Sequence, residues 1–288
     1  MTFQRLSLVK TLAALVCASL LLSACSRIDL AYRNLDWLLP MRLNTYFNLD
    51  NQQQAWLKPR LQAHLHWHCS RELPVYVAWL DTTEAILNAP LPDSARLYEQ
   101  FGQFDGALKR LNTEITPTAI ELLRGLSDEQ VESFFAALEE DNQEDRQDFL
   151  DPPLAVQINE RKARMQERLR PWLGRLNAAQ QEHLAEWAKG VGGQNRLWLE
   201  NRERWQQSLR ETLAIRHTDA FAEQLTPLLQ ARERFYTDAY RANYSRSRQA
   251  MATLFSQLLS SSDASQRERL SHRLRDIRQD LAGQSCSA

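Results

Sequence analysis

The sequence predicts an all-α protein, a multi-helix bundle of about nine or ten helices with kinks at prolines. Only 8 of its 288 residues are glycine, where an average chain of this length holds roughly 20. This scarcity argues against β-sandwiches, dinucleotide folds and phosphate loops, which need glycine at turns and ligand contacts. Hydrophobic residues make up 43% and charged residues 25%, a composition typical of globular proteins.

Apolar residues recur at the spacing i, i+3, i+4, i+7, which is the period of an amphipathic helix. The clearest stripe is Val131, Phe134, Phe135 and Leu138, and similar stripes follow further along the chain. No convincing run of period-two alternation is present, so the sequence offers no candidate strand.

Proline-containing segments are predicted to end one helix or to begin the next, because proline removes a backbone donor. These segments are residues 88–92, 116–117, 151–153 and 226–227. Four other prolines fall within helical patterns, where we expect kinks or breaks: Pro40, Pro59, Pro74 and Pro171. The glycine cluster at residues 190–193 is a candidate joint.

No linker composition divides the chain. The simplest organisation is a signal segment, residues 1–24, followed by one helical domain, residues 25–288. A boundary near Pro152 that separates two halves is the alternative.

Four short segments share the pattern of a capping box. A polar side chain caps the helix, and a glutamine three residues later reaches back to the cap N–H. The cap and its glutamine are Asp50 and Gln53, Ser127 and Gln130, Asn177 and Gln180, and Asp263 and Gln266. A long helical protein needs helix starts, and this requirement alone accounts for the pattern. The segments also resemble the paired L-T-x-x-Q motif of small periplasmic stress chaperones, which bind partly unfolded clients without ATP, although the threonine is absent here.

The N-terminus has the pattern of a secretory signal. Arg5 and Lys10 precede an apolar run, Leu12 to Leu22, that is too short to span a bilayer as a helix. It ends in Leu22-Ser-Ala-Cys25, which resembles the lipobox of bacterial lipoproteins. That resemblance implies cleavage before Cys25, a diacylglyceryl group on its thiol and acylation, with palmitate for example, of its new amino terminus. Such an anchor is stable, since each buried methylene contributes about 0.8 kcal/mol.

The residue after the lipidated cysteine favours the outer membrane. An aspartate there retains enterobacterial lipoproteins in the inner membrane, and this chain has Ser26. We therefore expect an outer-membrane protein that faces the periplasm. Other Gram-negative groups use positions further along the chain, so the inner membrane is the alternative. Apolar residues begin again at Ile28, and we expect the folded body to start close to the anchor.

Two cysteines remain once Cys17 leaves with the signal and Cys25 is lipidated. An even pair in an oxidising compartment predicts a disulfide between Cys69 and Cys286. This bridge would dock a C-terminal helix against the helix that carries Cys69. Two free thiols are the alternative.

Three histidines precede Cys69 in the densest group of metal-competent side chains. On a helix His64 and His68 share a face at the i, i+4 spacing that zinc uses, whereas His66 points elsewhere. Two ligands do not make a site, and the sequence places no third. We interpret these histidines as hydrogen-bonded or exposed helix residues, with His64 and His68 as weak metal candidates, and we expect no cofactor. The aromatic stripe from Phe235 to Tyr244 is interpreted as core.

Four segments together resemble a family of uncharacterised proteobacterial lipoproteins. They are residues 31–37 (AYRNLDW), 63–69 (AHLHWHC), 126–130 (LSDEQ) and 198–202 (WLENR). The resemblance implies an all-helical lipoprotein with no assigned activity.

These observations predict a non-enzymatic lipoprotein that binds protein or lipid partners in envelope maintenance, chaperone-like at most. No nucleophile elbow, zinc-protease helix or Ser/His/Asp ordering is present in the sequence. The balance of 35 basic and 36 acidic residues predicts no nucleic-acid partner. The expected partners are the membrane, through the N-terminal lipid, and a protein or lipid client. The alternative is a small-molecule- or metal-binding periplasmic enzyme that uses the His64/His68 region.

Overall fold

The computed structural model describes residues 32, 34–87, 89 and 92–286, and within these ranges it has helices and no strand. The first helices are α1 (Leu35–Phe47), α2 (Asn51–Trp67), α3 (Leu73–Leu87), α4 (Ser94–Arg124), α5 (Asp128–Phe149) and α6 (Leu154–Leu173). They are followed by α7 (Ala178–Gly190), α8 (Gln194–Ala214), α9 (Ala220–Gln230), α10 (Asp238–Ser260) and α11 (Ala264–Ala282). A π-helical turn, His68–Glu72, joins α2 to α3, and a 3-10 turn, Arg232–Phe235, precedes α10. The all-α prediction is confirmed.

The apolar stripes meet in three clusters of buried side chains. The first lies between α2, α5, α9 and the C-terminal parts of α4 and α8. The second is formed by α3, α10, α11 and the start of α4, and the third by α6, α7 and α10. Because α4 has 31 residues, it is about 46 Å long. It places Leu97 in the second cluster and Leu122 and Leu123 in the first, so one helix links the clusters.

Two of the predicted proline boundaries are wrong. Pro117 lies inside α4 and Pro227 inside α9. Each follows a threonine whose hydroxyl donates to the carbonyl four residues earlier: Thr116 to Asn112, and Thr226 to Ala222 at 2.7 Å. Neither hydroxyl replaces the missing donor, because the N–H that proline lacks would bond the carbonyl of residue 113 or 223. Packing of buried residues on both sides, among them Leu122 and Leu225, keeps the helices continuous.

Other prolines act as predicted or are accommodated. Residues 151–153 separate α5 from α6, and Gly190 ends α7. The chain continues without a break through Pro40, Pro59 and Pro171. The break expected at Pro74 takes the form of the π-helical turn just before it, in which the Leu73 N–H donates to the carbonyl of His68. The wider turn makes room for the proline ring, and the helical segment continues from α2 into α3.

All four predicted capping boxes are present. In each of them the cap side chain accepts from the N3 backbone and the N3 glutamine accepts from the cap N–H. At the first box, Gln53 N lies 2.8 Å from the Asp50 carboxylate, and Asp50 N lies 3.0 Å from Gln53 Oε1. The residues before three of the caps are buried leucines: Leu49, Leu126 and Leu176.

The capping glutamines also bind one another in two pairs. Gln180 and Gln266 each donate their side-chain amide to the other's Oε1, at 2.9 and 3.0 Å. Gln180 donates in addition to the carbonyl of Leu258, and Gln266 to that of Arg175, both at 3.0 Å. Two helix starts that are far apart in the chain are thus joined directly.

The second pair has the same geometry at the other end of the protein. Gln53 and Gln130 exchange amide bonds of 3.0 and 2.7 Å. Each also donates to the backbone before its partner's cap, Gln53 to Gly125 and Gln130 to Asn48. This pair is half-buried, whereas Gln180 is completely buried and Gln266 is 5% exposed.

Replacing Gln180 with glutamate should destabilise the fold strongly. The carboxylate keeps every acceptor contact but cannot donate to Leu258 or Gln266, and it places a charge where no solvent reaches. We expect the free energy of unfolding to fall by about 2–4 kcal/mol at neutral pH. The matched control is Gln166→Glu on the exposed face of α6, which should change it by less than about 0.5 kcal/mol. Urea unfolding followed by circular dichroism measures the stability of both variants. An equal loss of stability in the two would contradict the role assigned to the Gln180 amide.

Candidate functional site

The predicted disulfide is present and ties the C-terminus to the π-helical turn. Cys69 and Cys286 are bonded, with their Cα atoms 5.5 Å apart. Cys69 is buried, and Cys286 lies just beyond the end of α11. Helix α11 packs along α3, where Arg278 forms an ion pair with Asp81 and Arg275 lies 3.4 Å from Glu84. The bridge therefore fastens a helix that is already docked.

The histidines near the bridge have separate partners. His64 contacts Glu114 through Nδ1 at 3.1 Å and Thr118 through Nε2 at 2.8 Å. His68 lies 3.2 Å from the Tyr32 hydroxyl, with Tyr76 edge-on to its ring. His66 is exposed. In the part of the chain that the structure describes, no group of three or more metal-competent side chains comes together.

Next to His68, a carboxylate is buried in the π-helical turn. Glu72 is 3% exposed and accepts two bonds of 2.8 Å from the Arg110 guanidinium. These bonds outweigh the cost of burial and lower the pKa of Glu72. Burial lowers the pKa of His68, and the nearby Glu72 charge opposes that shift. The pair Glu72–Arg110 joins the turn to the middle of α4.

The interpretation of the aromatic stripe at residues 235–244 as core is confirmed only for Phe235, which packs against the first cluster. Tyr236, Tyr240 and Tyr244 are half-buried and belong to none of the three described clusters. The three tyrosines lie against one another, with the rings of Tyr236 and Tyr240 4.8 Å apart and those of Tyr236 and Tyr244 5.7 Å apart. Burial raises the pKa of Tyr236 to about 12. The Tyr236 hydroxyl therefore stays neutral at physiological pH.

A cavity of about 280 Å³ lies between α6, α7, α8 and α10. Its walls combine cationic, aromatic and thioether side chains. One face of α6 contributes Arg161, Arg164, Met165 and Arg168, and the opposite walls include Trp187, Trp198 and Met251. The described lining contains three arginines and no carboxylate, imidazole or thiol.

Arg161 is the innermost of the three cations. It is 6% exposed and donates to the carbonyls of Ala188, at 2.9 Å, and Gly192, at 3.3 Å, and to the Asn195 side chain, at 3.2 Å. Burial, together with the like charge of Arg164, lowers its pKa. Its charge is thus balanced by helix-end carbonyl dipoles and not by a carboxylate.

The other polar groups of the cavity wall are only partly satisfied. The indole N–H of Trp187 is buried and has no acceptor among the described residues. Arg164 stacks on the Phe149 ring, 4.9 Å from its centroid, and lies 3.4 Å from Glu160 outside the lining. Arg168 is exposed. The lining thus presents three guanidinium groups with no carboxylate among them, an arrangement that favours an anionic group.

The sequence did not reveal this cavity, although it carried a signal for it. Arg161 falls on the apolar stripe that continues through Met165 and Leu169 at i+4 and i+8. A cation in the buried face of an amphipathic helix is unusual, since arginine is almost never fully buried unless it is paired.

These features define an all-helical, disulfide-bonded protein with a cationic and aromatic cavity between its helices. The chain belongs to the protein family described as a family of unknown function (DUF6279), which matches residues 45–241. That match includes α2 to α9 and therefore three of the cavity's four walls. No curated protein and no solved structure matches the chain. Cys25 and the lipobox lie outside the described residues, and none of the described helices has the length and apolarity to cross a membrane.

Removing the bridge should lower the melting temperature. The disulfide joins positions 217 residues apart, and constraint of the unfolded chain over such a loop contributes about 5 kcal/mol at most. Cys286→Ser should melt at a lower temperature than the wild type, and the wild type in reductant should melt as the variant does. Ser285→Ala is the neighbouring control. Alkylation of both thiols without prior reduction would show that the bridge is absent.

Acidification should weaken the fold through His68. The pKa of His68 is lower in the folded protein than in the unfolded chain, so the unfolded chain binds a proton first as the pH falls. The contribution of neutral His68 to stability is therefore fully present only above the unfolded pKa of about 6.5. The free energy of unfolding should therefore fall as the pH drops from about 7.5 to about 5.5. His68→Gln should reduce the dependence of the free energy of unfolding on pH. His66→Gln, at an exposed position of α2, is the control and should leave that dependence unchanged. Urea unfolding at both pH values tests this, and identical slopes in the two variants would refute it.

Proposed function

We propose that this protein is a membrane-anchored helical lipoprotein of the periplasm that acts by binding a partner and not by catalysis. The observation that carries the proposal is the cavity between α6, α7, α8 and α10. It offers positive charge, aromatic faces and apolar volume, which are binding features. Its described lining includes the Ser247 hydroxyl but no carboxylate or imidazole beside it to act as a general base.

The proposed location has two independent supports. The sequence Leu22-Ser-Ala-Cys25 has the pattern at which lipoprotein precursors are cleaved and lipidated. The Cys69–Cys286 disulfide is typical of an oxidising compartment such as the periplasm. Ser26 favours the outer membrane over the inner one, and the proposed partner role there is envelope maintenance through a protein or lipid client.

The contacts of the motif residues favour a structural role for them. His64 and His68 hydrogen-bond to side chains of the fold, so the alternative of an enzyme at these histidines has less support than binding at the cavity. The glutamines of the four capping boxes bond to each other and to the backbone. The motif residues are therefore accounted for by helix starts and their pairing, and client binding would need another surface.

Anchoring depends on Cys25 in this proposal. Cys25→Ala should abolish lipidation and leave unprocessed precursor or unanchored protein, and globomycin should make the wild type accumulate as precursor. Cell fractionation and metabolic labelling with palmitate measure both effects. Cys17→Ala, which changes a cysteine inside the signal segment, is the control and should be processed as the wild type is. Normal processing in globomycin would refute the anchor.

A further inference from the structure

We propose that the cavity between α6, α7, α8 and α10 binds a single-chain anionic amphiphile, a carboxylate or phosphate group attached to a short apolar chain. This inference rests on the proposed binding function and names its ligand class. Two properties of the wall lead to it: its charge and its apolar surface.

The lining of the cavity is cationic. Arg161, Arg164 and Arg168 follow one another along α6 at i, i+3 and i+7. They span about 10 Å of helix, from Arg161, which is 6% exposed, to the exposed Arg168. No carboxylate lines the same space, and Glu160, which lies 3.4 Å from Arg164, is outside it. Like charges held this close repel one another, and an anion that enters between them relieves that repulsion.

A second cavity shows that the protein normally balances such charges. That cavity, also of about 280 Å³, contains Arg146 and Arg210, and Glu139 and Glu203 line it with them. Arg146 is paired with both glutamates. In the cavity on α6, by contrast, the glutamate that pairs with Arg164, Glu160, lies outside the lining.

Trp187 contributes its ring to the wall, whereas its buried N–H does not open onto the cavity. The guanidinium groups are therefore the donors for an anionic head group, since they bind carboxylate and phosphate oxygens through charged hydrogen bonds.

The remaining wall accommodates an apolar chain. Met165 and Met251 are flexible thioethers that adapt to a variable chain, and Trp198 provides a flat aromatic face. The volume lies at the lower end of the range for ligand cavities, roughly 300–1,000 Å³, so one short chain fits and a two-chain lipid does not. The carboxylate of a fatty acid and the phosphate of a lipid fragment share this chemistry.

The test titrates the full mature protein in nanodiscs of zwitterionic lipid, with empty nanodiscs subtracted, by isothermal calorimetry. The probes are decanoate, decyl phosphate, decanol, decyltrimethylammonium and inorganic phosphate. We expect saturable one-to-one binding of decanoate or decyl phosphate, with the other three probes bound at least about tenfold more weakly. The anion that binds with the higher affinity identifies the source of the ligand: decanoate indicates a fatty acid, and decyl phosphate indicates a lipid fragment. Absence of saturable binding, or equal binding of the cation, overturns the proposal.

Variants separate charge from fold. Arg164→Gln with Arg168→Gln should weaken binding of the anion about tenfold or more. Arg170→Gln, on the exposed face of the same helix, should not change it. Arg161 is left intact because it also holds α7. Wild-type affinity in the double variant overturns the proposal, and a melting curve of each variant confirms that it is folded.

Failure of this inference is distinguishable from failure of the proposed function. If the chain carries no lipid, the same titrations run in solution without nanodiscs. Normal processing in globomycin then contradicts the lipid anchor alone. Absence of probe binding contradicts the proposed ligand alone.

Discussion

Two reciprocal glutamine pairs join the starts of helices that are far apart in the sequence. Each glutamine accepts from its own helix cap and exchanges amide bonds with a partner glutamine, and each also donates to a backbone carbonyl beside the partner motif. The interaction fixes the start of one helix against the start of another across 77 residues in the Gln53–Gln130 pair and 86 in the Gln180–Gln266 pair. Packing of leucine stripes is not directional, so these polar contacts define the register in which the stripes meet.

Only an amide can make this contact. Glutamate serves equally well in an isolated capping box, because the box needs only an acceptor at N3. The reciprocal pair needs a donor and an acceptor on the same side chain, and two carboxylates at this distance would repel each other. The choice of glutamine at all four positions was therefore the signal for pairing, and it was visible in the sequence. Which boxes pair was not, because that depends on where the intervening helices place them.

Local patterns in the sequence predicted what local physics determines. Periodicity predicted the helices, cap chemistry predicted their starts, and cysteine arithmetic predicted the bridge between Cys69 and Cys286. The errors occurred where tertiary packing overrides local propensity. Pro117 and Pro227 lie within helices because buried neighbours on both sides pack these helices into the core. The cavity could not be predicted, because its walls come from four helices and only the fold brings Arg161 near Trp187.

The spacing of two cavity walls depends on Gln180. Gln180 bonds the start of α7 to the carbonyl of Leu258 near the end of α10. Trp187 and Met251 each lie about two turns from that contact along their own helices, so this bond and the third cluster set the distance between these two walls. Arg161 fixes the other end of α7, because its guanidinium donates to the carbonyls of Ala188 and Gly192 and not to a carboxylate. Helix α7 is therefore held at both ends, by an amide pair and by a buried cation. The cation that closes the cavity is also one of the groups that makes it attractive to an anion.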